Sequence, residues 1–219
     1  MVKIYPNKPL FVMLYGYPGS GKTFFARQLC EELQSAHVQG ERIRHELFET
    51  PRYDKQENSI VSHLMDYMTE QFLSTKTSVV YDVNVMRTSQ RRTLKDIARK
   101  SGVEPILVWF QIDIESAFTR VARRDRRRAD DKYAMPLDRT TYDSIINNMQ
   151  NPTKDESPVV VSGKHTFNTQ LSSFTKKLRE TGLVTTDFSS SKVKPELVNL
   201  IPNHLGGRVD LSRRNIVIR

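Results

Sequence analysis

A single cysteine, Cys30, in 219 residues leaves no internal disulfide to be made, which fits a reducing cytoplasm. Cys30 shares a helix-spaced face with Ala26, Leu29 and Leu33, the setting of a buried, inert thiol rather than a nucleophile. Long apolar runs are missing too. Met1 to Leu10 holds two prolines and no apolar core, and no run approaches the roughly 20 residues of a membrane helix, so neither a signal peptide nor a membrane span is expected. His37, His45 and His63 have no acidic or cysteine partners at metal-ligand spacing, which argues against zinc. Acid is in short supply: 25 Asp and Glu face 34 Lys and Arg, a net charge of +9. That balance calls for an anionic partner, whether nucleotide, nucleic acid or acidic metabolite, without choosing among them.

The elements that are present alternate. Leu10 to Tyr15 reads as a strand, Lys22 to Gln34 as a helix, and a second strand is expected near His37 to Gly40. A helix over Gln56 to Ser74 is predicted to turn Ile60, Leu64, Met68 and either Tyr67 or Leu73 inward. Val79 to Tyr81 is a buried-type strand ending at Asp82, Ser89 to Lys100 a basic helix with Leu94, Ile97 and Ala98 inward, and Glu104 to Ile112 a further strand. Helices over Glu115 to Arg124, Asp138 to Gln150 and about Thr169 to Glu180 enclose a last strand, Ser157 to Val161. Strands alternating with helices predict an α/β fold: a parallel sheet of about five strands covered by helices on both faces. Residues 1–182 are expected to form that domain, and 183–219, interrupted by Pro195, Pro202 and Gly206-Gly207, a tail docked on it with a terminal strand at Asn215 to Ile218.

The chemistry begins at Gly16-Tyr17-Pro18-Gly19-Ser20-Gly21-Lys22-Thr23, which satisfies G-x-x-x-x-G-K-[ST] between a strand and a helix. In such a loop Gly16, Gly19, Ser20 and Gly21 present backbone N–H groups to phosphates, with the positive end of the following helix behind them. Lys22 is then expected to reach the β and γ phosphates of ATP, and Thr23 to hold Mg2+. Asp82, after an apolar strand, stands where a carboxylate would orient the metal shell, and Asn84 where it would position either the substrate or the Asp82 loop. Glu41 falls near the end of the second strand, where a kinase needs a carboxylate to accept the proton of the acceptor hydroxyl. Arg120, Arg123, Arg124, Arg126, Arg127 and Arg128, followed by Asp130, Asp131, Pro136 and Asp138, form an arginine-rich lid. Within it Arg120, Arg124, Arg127 and Arg128 would stack as one cationic helical ridge able to close over a transferring phosphate.

These residues resemble the polynucleotide 5'-kinase and zeta-toxin-like group of small P-loop kinases, with an AAA-type ATP-binding domain, over about Phe11 to Pro152. Gly-Tyr-Pro-Gly-Ser-Gly-Lys-Thr is similar to the group's phosphate loop, Asp82-Val83-Asn84 to its D-x-N, Arg91-Arg92 to a paired arginine opening the next helix, and Arg120 with Arg124 to its lid arginines. The resemblance implies a catalytic Arg124 nearest the transferred phosphate, an Arg120 that supports nucleotide binding, and an Arg44 that contacts the acceptor. The group carries Asp-x-x-Arg where this chain has Glu41-x-x-Arg44. Two classes of function stay open: an ATP-dependent kinase acting on a hydroxyl, of a nucleic-acid 5' end or of a small molecule, and a nucleotide-switched binding protein or NTPase that phosphorylates no hydroxyl. A fixed acceptor base with a short arginine lid favours the kinase. Oligomeric state is not legible.

Overall fold

A computed structural model describes residues 3–128 and 131–184. Asp130 and the tail after Val184, including the strand expected at Asn215 to Ile218, lie outside the described residues. The chain runs β1 (Leu10–Gly16), α1 (Lys22–Leu33), β2 (Ala36–Gln39), α2 (Gly40–Leu47), α3 (Lys55–Ser74), β3 (Val79–Asn84), α4 (Thr88–Lys100), β4 (Glu104–Gln111), α5 (Ile114–Ala122), α6 (Arg139–Asn147), β5 (Val159–Ser162) and α7 (Phe167–Glu180).

All pairings are parallel, in the order β2-β3-β1-β4-β5. Because β1 is central and every one of its residues is buried, its side chains feed two cores by strict alternation. Leu10, Val12 and Leu14 pack with Phe25, Leu29, Phe174 and Leu178 on the face covered by α1 and α7. Phe11, Met13 and Tyr15 pack with Val61, Met65, Leu94 and Ile97 on the face covered by α3 and α4. From β1 the chain passes through α1 to β2 on one side of the sheet, and after β3 it crosses through α4 to β4 on the other side of β1, so a crevice opens at the carboxyl ends of these strands, where α/β sheets bind ligands.

Helix starts follow local chemistry. Asp54, Asp113 and Asp138 cap α3, α5 and α6 by accepting from the backbone N–H of Glu57, Ser116 and Thr141 at 2.9, 2.8 and 2.7 Å. Three expectations need correction. The inward face of α3 is Glu57, Val61, Met65, Thr69 and Leu73: of the expected stripe Leu73 is buried and Met68 packs partly buried against the same core, while Ile60 and Tyr67 are exposed. Glu57 is drawn in because its carboxylate accepts from the backbone N–H of Arg52 and Tyr53 and from the Arg44 guanidinium. Next, α2 is a helix that the charged run after Gly40 did not announce. Finally, α5 stops at Ala122, so the arginines beyond it cannot share one helical ridge.

Candidate active site

The phosphate loop links β1 to α1 at the crevice. Gly19 has φ +84°, and a Cβ there would run into the Ala117 carbonyl, so this turn needs glycine on both counts. Gly163, just past β5, is constrained by space alone: a Cβ would sit 2.8 Å from the Ser20 carbonyl oxygen. Lys22 donates from Nζ to the carbonyls of Gly16 at 2.7 Å and Tyr17 at 2.9 Å. Burial brings its pKa down to about 7, against the opposing pull of the Asp82 charge. An anion arriving in the loop would restore the full ammonium charge. The Ser20 hydroxyl is buried with no hydrogen-bond partner among the described residues.

Beside the loop, the end of β3 delivers Asp82 and Asn84. Asp82 is almost fully buried, and its Oδ1 accepts from the Thr23 hydroxyl at 3.2 Å. Its Oδ2 lies 3.0 Å from His37 Nε2 on β2. Asn84 Oδ1 accepts from the Gly16 N–H at 3.2 Å, which ties the loop entrance to β3. Thr23 and Asp82 thus form a pair of hard oxygen donors next to a phosphate cradle, the donor chemistry that suits Mg2+.

On the facing wall, the first turn of α2 presents Glu41. Burial raises its pKa, partly countered by the charge of Arg44, whose Nε is 3.7 Å from Glu41 Oε2. The Tyr53 phenol is next to it and is itself pushed up to about 12, by burial first and then by the Glu41 charge. Neither Glu41 Oε2 nor the Tyr53 hydroxyl completes a hydrogen bond with good geometry among the described residues. Arg44, expected at the acceptor, points elsewhere. It is buried, donates to Glu57 Oε2 at 3.2 Å and Asn58 Oδ1 at 2.6 Å, and stacks over the Tyr53 ring at 4.7 Å. Its guanidinium is consumed in joining α2 to α3, and it is absent from the cleft wall.

Arg120 donates to the Gly163 carbonyl at 2.7 Å, and Arg124 to the Met135 carbonyl at 3.0 Å with its Nε 3.8 Å from Asp131 Oδ1. Together with the phosphate loop, Glu41, Asp82 and Asn84 they line one cleft of about 680 Å³. Arg123 and Arg128 join that wall and Arg126 and Arg127 do not, so three of the four arginines expected to stack, Arg120, Arg124 and Arg128, line the cleft without sharing one helix.

Three contributors escaped sequence reasoning. His37 was set aside for want of a partner close in sequence; its signal is a histidine on the strand next to the one bearing Asp82. Gly163 and His165 follow β5, where a glycine just beyond a strand end marks close backbone approach. Tyr133, Met135 and Leu137, which follow the arginine run, line the same cleft.

The sequence matches the AAA domain family over residues 11–152. The chain belongs to the AAA domain family. No curated protein matches it. Among solved structures, this AAA domain is similar to Kti12 of Chaetomium thermophilum in complex with ADP-AlF3, at 18% identity and a TM-score of 0.62, over 80% of this chain and 99% of that one. It is similar to the APS kinase CysC of Mycobacterium tuberculosis, in complex with AMPPNP and APS, at 15% identity and a TM-score of 0.58, over 80% and 99%. The Pnkp1/Rnl/Hen1 RNA repair complex matches at 16% identity and a TM-score of 0.55, over 64% of this chain and 44% of that one. At such identities the likeness shows the fold alone, that of a P-loop NTPase domain. No helix among the described residues is long and apolar enough to cross a membrane.

Proposed function

We propose that the protein is an ATP-dependent kinase that transfers the γ-phosphate to a hydroxyl acceptor. The observation that carries this reading is the convergence, in one cleft, of the Lys22 loop, the Thr23–Asp82 pair and a second carboxylate, Glu41, whose pKa is raised by burial.

In this reading Gly16, Gly19, Ser20 and Gly21 hold the phosphates through backbone N–H groups, and Lys22 follows the γ-phosphate as charge develops on it. Mg2+ bound with the nucleotide beside Thr23 and Asp82 would neutralise charge shared between the β and γ oxygens. Glu41 accepts the proton of the attacking hydroxyl; its raised pKa brings it closer to the range where a carboxylate acts as a base near neutrality. Arg124 approaches the transferred phosphate from the lid and Arg120 secures the nucleotide against the turn after β5. Asn84 keeps the loop entrance in register, and Arg44 supports the wall behind Glu41. The basic charge favours an anionic acceptor such as a nucleic-acid 5' end, and a cytoplasmic setting supplies both ATP and the reducing conditions that suit Cys30.

The test is transfer of label from γ-labelled ATP to a panel of 5'-hydroxyl oligonucleotides, nucleosides, sugars and aminoglycosides. Label on one acceptor class supports the reading. Label appearing only as inorganic phosphate across the panel would replace it with an NTPase.

A further inference from the structure

We infer that His37 is a positioning residue for Asp82: its hydrogen bond holds the carboxylate on Thr23 and off Lys22, which presets the loop for a divalent cation. The inference rests on the nucleotide-binding reading of the cleft and goes beyond it to a residue outside the family motif.

The geometry is specific. In the β2–β3 ladder His37 stands opposite Val80 and Gln39 opposite Asp82, so His37 reaches Asp82 diagonally. The Nε2 to Oδ2 distance is 3.0 Å, and the Asp82 side chain is 3% exposed. A carboxylate only accepts, so Nε2 carries the hydrogen and donates. With Thr23 donating to Oδ1, each Asp82 oxygen has one protein donor and keeps lone-pair capacity for a metal-bound water.

Removing His37 would leave Oδ2 buried without a donor, a costly state that the carboxylate would relieve by rotation. The strongest donor at hand is Lys22, whose charge Asp82 already supports most among its neighbours. Lys22 currently spends its hydrogens on the Gly16 and Tyr17 carbonyls, weak partners that a phosphate can displace. A direct Lys22–Asp82 ion pair would be harder to displace, and would withdraw both the ammonium from the phosphate and the carboxylate from the metal. His37 therefore acts on metal and nucleotide together while touching neither.

The variants are His37→Leu, His37→Asn and His37→Gln in the full chain. Gln places its amide nitrogen near the Nε2 position, whereas Asn is too short to reach. The measurement is Mn2+ affinity of the ADP complex, from the spin-resonance signal of free Mn2+, with ADP affinity in EDTA measured alongside. Leu and Asn are expected to weaken Mn2+ binding by roughly 10- to 100-fold, and Gln to stay within about threefold of the parent. Metal-free ADP affinity should fall modestly for Leu and Asn, as Lys22 is drawn away, and hold for Gln. Parental Mn2+ affinity in either removal variant, or a loss in Gln as large as in Asn, would overturn the inference. If Leu fails to fold, the Asn and Gln pair decides it. No acceptor enters these readouts, so failure of hydroxyl phosphorylation would overturn the kinase reading and leave this one to be judged on metal binding.

Discussion

The end of β3 and the first turn of α2 each bring a carboxylate to the same cleft, yet they bring it in opposite states. Asp82 is nearly inaccessible and has a donor on each oxygen, Thr23 and His37. Glu41 is held at a distance by Arg44, has an oxygen with no hydrogen-bond partner among the described residues, and has its pKa raised by burial. A carboxylate with one donor on each oxygen is fixed in one direction and keeps lone pairs for metal-bound water, which suits orienting a metal shell. One that is desolvated and under-engaged has capacity in reserve, which suits taking a proton. The division follows from the supports: a β-ladder fixes Asp82 from a neighbouring strand, while Glu41 opens a helix at a chain turn.

The comparison can be broken at either wall. Lys22→Ala removes the loop charge beside Asp82, and phosphoryl transfer should fall by roughly 10³- to 10⁵-fold with the fold intact by circular dichroism. Retained turnover would detach the phosphate loop from catalysis. On the α2 side, Arg44→Met should cost about 3 kcal/mol in denaturant unfolding, the low end for breaking a buried ion pair, because Glu57 keeps the backbone donors of Arg52 and Tyr53. An unchanged midpoint with a raised acceptor KM would return Arg44 to the acceptor. Arg124→Lys keeps the charge but loses the planar fork, and kcat should drop by roughly 10²-fold. Equal kcat would leave the arginine a surface role.

The smallest effect sharpens the contrast most. Glu41 is raised above its unfolded pKa, so its contribution to stability is fully present below the unfolded value and is lost as pH rises through the folded one. Glu41→Gln should therefore stabilise the protein at pH 8, by on the order of 1 kcal/mol, and by less at pH 4. Thermal melts at the two pH values check this. A destabilised variant at pH 8 would show that Glu41 is held as firmly as Asp82.

The strands, their parallel pairing and the phosphate loop were legible because periodicity and a glycine pattern are local signals, whereas the order β2-β3-β1-β4-β5 was not. Glu41 was found by its distance from the loop, with no sign that α2 would be a helix. Arg44 looked identical to a ligand-facing arginine; what turned it inward is Glu57 on another helix, which sequence spacing does not reveal. The same long-range pairing displaced the face of α3 and hid His37, whose partner is 45 positions away. The arginine ridge failed because helical spacing was extended past Ala122, where α5 ends.

The most direct test compares Asp82→Asn with Glu41→Gln in two assays, Mg2+-dependent nucleotide binding and transfer of label from γ-labelled ATP. The account predicts that Asp82→Asn weakens Mg2+-dependent binding, whereas Glu41→Gln binds as the parent does and loses roughly 10²- to 10⁴-fold in kcat. Equal loss of binding in the two variants, or full turnover in Glu41→Gln, would contradict it.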